Sequence, residues 1–256
     1  MNKFNQDEFI SRNKGLILEE IQEKISKTRL LLVGVGLGSQ VAVLAARTGF
    51  EKFILCDGDT VELNNLNRQA FELSDIGKNK AEITKERILN INPNCEVEVY
   101  PKFVSKKEEV KKLITKSDII INMADPGNIV YEINKESQNQ GKPVFFPLNF
   151  AYGAYVLVFS PSGPSLEKIT GKSSENDFFS KLVINTLKFR PEVLKDRNFA
   201  DIQKLYTEVV KQKKPFPQCG MSSNITSSII VREIIKWIER LPQEFAPRPV
   251  IISPWK

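Results

Sequence analysis

The chain has 256 residues, 41% apolar and 27% charged, with a net charge of +6, a composition typical of a globular protein with a sizeable core. It has no histidine and three cysteines, Cys56, Cys95 and Cys219, none in a Cys-x-x-Cys pair. Histidine acid–base and nucleophile chemistry, zinc–histidine hydrolysis and a four-cysteine zinc site within one chain are therefore excluded.

The N-terminus lacks the apolar stretch of a secretory signal, and no apolar run approaches the ~20 residues that cross a bilayer. A cytoplasmic protein with reduced thiols and no membrane contact is expected. Residues 5–27 read as one or two amphipathic helices, with Phe9, Ile10, Leu16, Ile17, Ile21 and Ile25 near a helical period. Leu30 to Val33 and Lys52 to Cys56 are short apolar runs suited to buried parallel strands. Between them, Gln40 to Thr48 predicts a helix whose Ala42, Ala45 and Ala46 allow close packing. Ser74-Asp75 reads as the cap of a helix to about Leu89, and Glu96 to Tyr100 alternates as a strand. A helix over Lys106 to Thr115, a strand from Asp118 to Ile121, a helix over Asn128 to Gln140 and a strand over Val144 to Phe146 complete an alternating order. That order predicts an α/β fold, Rossmann-like, with a mostly parallel sheet flanked by helices. Beyond Tyr152 the pattern changes. Ala154 to Phe159 suits an antiparallel strand, residues 160–218 read as turns and polar helices, and Asn224 to Leu241 as a helix. The tail from Pro247 to Trp255 suits a last short strand. One domain over 1–256 is expected, with N-terminal helices at 1–28, an α/β core at 29–150 and a variable antiparallel and helical elaboration at 151–256.

The glycines of Val33-Gly34-Val35-Gly36-Leu37-Gly38-Ser39 lie between a strand and a helix. There, backbone amides approach phosphate and the helix N-terminus favours negative charge. Asp57 closes the next strand, about 20 residues on, where a carboxylate can bind ribose hydroxyls. Together these point to an adenine nucleotide without saying which one. The polar stretch from Asp57 to Gln69, followed by Ile76-Gly77-Lys78-Asn79-Lys80, sets Asn65, Arg68 and Lys80 beyond the ribose-binding strand. Arg and Lys there neutralise a triphosphate and a leaving pyrophosphate.

The residues Asp57, Asp59, Val61, Asn64-Asn65-Leu66, Arg68-Gln69 and Gly77 to Lys80 resemble the ThiF/MoeB/HesA family, the bacterial branch of the ubiquitin-activating enzyme superfamily. Ile88 to Pro93 also matches the end of that family's following helix, and the resemblance covers roughly residues 8–160. It implies ATP-dependent adenylylation of a carboxylate, on the C-terminus of a ubiquitin-like sulfur-carrier protein or a short peptide. By the same resemblance Gly34, Gly36 and Gly38 lie against ATP, Asp57 binds ribose, and Asn65, Arg68 and Lys80 hold phosphates. Asp59 either touches the ligand or orients the loop. Asp125, after the strand at 118–121, matches an aspartate associated with Mg²⁺. Arg12 resembles an N-terminal arginine that reaches the partner subunit's ATP, which implies a homodimer.

Three departures qualify the resemblance. Val33 and Val35 stand where the family often has glycine, the zinc-binding cysteine pairs are missing, and no cysteine lies between Cys95 and Cys219. Cys56 and Cys95 read as structural. Cys219, before the C-terminal helix, is the remaining candidate thiol nucleophile. Three alternatives stay open: a relative that activates a carboxylate on tRNA, an NAD-dependent oxidoreductase, and a non-catalytic scaffold subunit. The scattered basic residues, without interleaved aromatics, argue against nucleic acid as the partner, although the positive charge permits tRNA.

Overall fold

The computed structural model describes residues 4–171, 177–195, 197–212 and 216–252. Two short N-terminal helices, α1 (Gln6–Phe9) and α2 (Glu19–Lys27), are separated by a 3-10 turn at Ser11–Asn13 and by Gly15, whose φ is 89°. The break leaves Leu16 87% exposed, whereas Ile21 and Ile25 are buried. The core then alternates: β1 (Arg29–Val33), α3 (Gly36–Thr48), β2 (Lys52–Cys56), α4 (Lys80–Ile91), β3 (Glu96–Tyr100), α5 (Lys107–Lys116), β4 (Ile119–Asn122), α6 (Asn128–Asn139) and β5 (Val144–Phe150). There follow β6 (Gly153–Phe159), α7 (Leu166–Thr170), α8 (Phe178–Leu187), α9 (Pro191–Leu194), α10 (Arg197–Lys211), α11 (Gly220–Glu239) and β7 (Val250–Ile252). Ser253 to Trp255, at the end of the expected last strand, lie outside the described residues.

The seven strands form one sheet in the order β3-β2-β1-β4-β5-β6-β7. The pairings from β3 to β5 are parallel, and β6 and β7 add antiparallel. This is the α/β architecture the alternating pattern predicts. Side chains of the central strands alternate between two cores. Leu30, Leu32, Phe53 and Leu55 join α2, α3, α4 and α11 on one face. Leu31, Val33, Ile54 and Cys56 join α5, α6, α7 and α8 on the other. Burial on both faces is why these strands read as unbroken apolar runs, each large side chain contributing about 1.5–3 kcal/mol. Ala42, Ala45 and Ala46 are fully buried and let α3 sit close to the sheet. No helix among the described residues is long and apolar enough to cross a membrane.

Four features differ from the sequence reading. α3 begins at Gly36, so Gly36 and Gly38 lie inside its first turn. Ser74 and Asp75 belong to a separate 3-10 turn, because Gly77 takes a φ of 86° and breaks the chain there; Asn79 caps α4 instead, accepting the amides of Ala81 and Glu82. α8 is not polar, since Phe178, Leu182 and Leu187 are buried in the second core. α11 starts four residues earlier than predicted and stops at Arg240, which adopts a left-handed conformation.

A clasp closes α11 on the chain that follows it. The Glu233 carboxylate is fully buried and accepts hydrogen bonds from Arg232, Lys236 and Gln243. Burial works against its charge, but these bonds outweigh it and hold the carboxyl below its ordinary value of 4.5. A depressed folded-state value gives stability that is present above the unfolded value and is lost as pH falls through the folded one. Glu233→Gln is therefore expected to lower stability by about 1–3 kcal/mol at neutral pH. Urea denaturation at stepped pH should show the gap to wild type closing below pH 4.5. At the other end of the core, Gly34 has a φ of 92°, and a Cβ there would stand 2.4 Å from the Met123 carbonyl oxygen. Gly34→Ala is expected to cost ~2 kcal/mol or more, read as a lowered denaturation midpoint.

Candidate active site

The order of strands reverses between β1 and β4, and in open α/β sheets a crevice opens at such a point beyond the carboxyl ends of the strands. Here a cleft of about 480 Å³ opens at that place, between the ends of β1, β2, β4 and β5. Its floor is the turn from β1 into α3. Gly34 donates its N–H to the Cys56 carbonyl (2.9 Å), and Met123 donates to Val33 O (2.8 Å). The first-turn amides of α3 have no intrahelical acceptor, and they carry the positive end of the helix dipole.

Asp57 is buried at the tip of β2. Its carboxylate accepts the amide of Val35 at 2.5 Å and that of Asp59 at 2.8 Å. Burial raises its pKa, against the pull of those two amides and of the nearby Lys80. Lys80, itself buried, forms an ion pair with Asp59 at 2.9 Å. Asn79 ties the segment down by donating to the carbonyls of Asp57 and Asp59. Asp125 stands opposite, in the loop after β4. Its pKa is raised first by burial and then by the charge of Asp59, with Lys80 opposing.

Arg68 reaches the cleft from the loop after β2. It makes no ion pair among the described residues. Its donors go to neutral oxygens: Nη1 to Asn64 O (2.5 Å) and Asn67 Oδ1 (2.9 Å), and Nε to Gln218 Oε1 (2.9 Å). Burial lowers its pKa below the usual guanidinium range, as expected of a cation without a counter-charge among the described residues. Beside it, Gln69 Oε1 is shielded from water and has no hydrogen-bond partner.

Seven of the residues singled out from the sequence line this cleft: Gly34, Gly36, Asp57, Asp59, Arg68, Lys80 and Asp125. Four do not. Gly38 is packed under Met123, where a Cβ would come 2.8 Å from Met123 Cε, so its smallness serves helix–strand packing. Asn65 is buried in the 3-10 turn Leu63–Asn65, where its Oδ1 accepts the Glu62 amide. Its carbonyl accepts the amides of Arg68 and Gln69, so it shapes the loop that presents Arg68. Arg12 is exposed on the turn Ser11–Asn13, outside the lining. Cys219 immediately precedes α11, its Sγ 3.8 Å from the Ala151 carbonyl. Cys56 and Cys95 are buried, and burial pushes both thiols up to about 12, which keeps them protonated.

Other lining residues escaped the sequence reading. Phe103 follows β3 and lies against Gly58, where a Cβ would come 2.7 Å from its ring. Met123, Asn149 and Gln218 also line the cleft. The one local signal was Gln69, which stands inside the Asn64 to Gln69 motif.

The cleft fits a nucleoside triphosphate. It offers a glycine turn, open amides at a thirteen-residue helix, an arginine without a counter-ion and an unpartnered amide oxygen. For a divalent cation it offers the carboxylates of Asp59 and Asp125, which both line it. Among the described residues no group of three or more acidic or cysteine side chains gathers to hold a metal. Such a pair suits Mg²⁺, which retains water and takes phosphate oxygens to complete its shell.

The chain is similar to several known proteins. A probable molybdopterin-synthase adenylyltransferase of Porphyra purpurea is 31% identical over 166 residues, 62% of this chain and 43% of its own length. The sulfur carrier protein ThiS adenylyltransferase of Escherichia coli K12 is 25% identical over 163 residues, 61% of this chain and 64% of its own length. The chain thus spans roughly half the length of the curated relatives it matches. Among solved structures, E. coli MccB with ATP superposes with a TM-score of 0.67 at 21% identity, over 91% of this chain and 63% of that one. The model of the ThiF family matches residues 10–256, and the chain belongs to the ThiF family.

Proposed function

We propose that this chain transfers the AMP moiety of ATP to a carboxylate and releases pyrophosphate. The observation that carries the reading is Arg68, a partly buried cation without an acidic partner among the described residues, on the wall of a cleft floored by a helix N-terminus. A permanent positive charge kept free of carboxylates is suited to a polyanion whose charge migrates during reaction. Curated relatives that share this family carry adenylyltransferase names, and MccB was solved with ATP.

The carboxylate oxygen bonds to the α-phosphorus as the bond from that phosphorus to the β-phosphate oxygen breaks, and pyrophosphate leaves. This chain's residues position and neutralise; no proton needs to move, which suits a protein without histidine. The α3 amides and Gly36 receive phosphate oxygens. Arg68 and Lys80 balance charge as it builds on the leaving group. Asp57, whose oxygens are already anchored by two amides, presents its remaining lone pairs to ribose hydroxyls. Asp125 and Asp59 would hold Mg²⁺, which would supply charge neutralisation to the phosphates when bound. In a homodimer, Arg12 serves the second copy's cleft. The substrate's carboxylate belongs to a carrier protein or a peptide, entering past the 151–256 region. A cytoplasmic setting supplies ATP and keeps the three free cysteines reduced.

Calorimetry with ATP and with NAD, followed by ATP–pyrophosphate exchange, tests the reading. ATP binding that strengthens with Mg²⁺ is expected, and a preference for NAD would sink the proposal. Arg68→Ala should lower exchange kcat/KM by about 100-fold or more. Asp125→Asn should weaken ATP binding when Mg²⁺ is present and leave it unchanged in EDTA; equal weakening in both conditions would remove Asp125 from the metal site.

A further inference from the structure

Next to the nucleotide cleft lies a second cavity of about 310 Å³, between the end of β5, α8, α10 and Phe216, within the ~300–1,000 Å³ of small-ligand sites. Its walls are aromatic and aliphatic. Phe179 and Tyr206 each meet the Phe216 ring edge-to-face, and Tyr206 also packs on Phe150. Val183 and Ile184 of α8 close one side. Tyr206 is fixed in place, because its hydroxyl accepts the amide of Ala151 at 3.0 Å, in the β5–β6 turn. Among the described lining residues there is no carboxylate, and Lys211 is the charged one.

The two cavities share Leu148, Asn149, Phe179 and Gln218, and so they adjoin each other. Gln218 stands at the junction, with its Oε1 accepting from Arg68 Nε at 2.9 Å and from Asn149 Nδ2 at 3.3 Å. Asn149 also donates to Ser223 Oγ, and its Oδ1 is shielded from water without a partner. The shared wall thus carries amide groups and a nearby cation, and the second cavity is lined mainly by apolar side chains.

We propose that this cavity selects the carboxylate to be activated, by taking the apolar side chain of a peptide's C-terminal residue. The proposal rests on the AMP-transfer reading of the adjoining cleft. A C-terminal residue carries its carboxylate and its side chain on one Cα, so the two groups diverge at the junction. The carboxylate turns toward Arg68 and the nucleotide cleft, and the side chain enters between Phe179, Val183 and Tyr206. A terminal glycine places nothing in the cavity and forgoes that burial. The substrate class is therefore a peptide ending in a large aliphatic or aromatic residue, in preference to a tail ending in glycine.

The test is calorimetric titration of the full chain, saturated with α,β-methylene-ATP, with acetyl-Ala-Gly-Phe, acetyl-Ala-Gly-Leu and acetyl-Ala-Gly-Gly. The Phe and Leu peptides are expected to bind at least ~10-fold more tightly than the Gly peptide. Val183→Trp, and at a half-exposed position Ile184→Trp, should erase that difference while nucleotide binding and Tm stay at wild-type values. Equal binding of all three peptides, no peptide binding, or an undiminished Phe preference in both folded Trp variants would overturn the proposal. Pyrophosphate exchange with the same peptides separates the two readings. Tight Phe-peptide binding without exchange upholds the pocket and overturns AMP transfer.

Discussion

The carboxylate of Asp57 is the point on which the site depends. One oxygen takes the amide of Val35, and the other takes the amide of Asp59. Through these two bonds the end of β2 holds both the turn from β1 into α3 and the loop that carries the rest of the polar machinery. Removing water from a carboxylate is costly, and the rise in its pKa records that cost. Two aligned amides offset it and fix the geometry at the same time. The chain therefore spends a buried charge on placing backbone, and the side chains that face the cleft inherit their positions from it. Lys80 follows directly, since its own amide donates to the Asp59 carbonyl while its ammonium pairs with the Asp59 carboxylate.

How much of this was visible in the sequence follows from how local each feature is. Strand, glycines, helix and a terminal Asp occur within some 25 residues, and short-range sterics and burial dictate them; the parallel half of the sheet was legible for that reason. Arg68 was legible because its loop is a contiguous polar motif. The Ser74-Asp75 cap misled because an Asp before a helix and an Asp closing a 3-10 turn look alike until Gly77 takes a positive φ. The cleft's far wall was not legible. Gln218 meets Arg68 across 150 residues of sequence, and no periodicity announces a contact of that range. The same holds for the aromatic cavity. Phe150, Phe179, Tyr206 and Phe216 come from four separate segments, and each alone reads as an ordinary apolar residue.

Asn65 and Gly38 show a subtler division. Both belong to motifs that suggest ligand contact, yet both act one layer back. Asn65 spends its side chain on the turn that aims Arg68. Gly38 clears space for Met123 so that α3 can lie against the sheet. A motif preserves a shape as well as a set of contacts, and sequence alone does not separate the two.

The margins of the sheet carry a consequence of their own. One border strand, β3, bears Glu96 and Glu98, which pair with Arg29, Lys52 and Lys116 in a band of alternating charge. The opposite border is β7, of which Val250–Ile252 are described. A charged border discourages a strand from another molecule from extending the ladder. Fibre-like growth through main-chain pairing is thereby suppressed at the β3 margin.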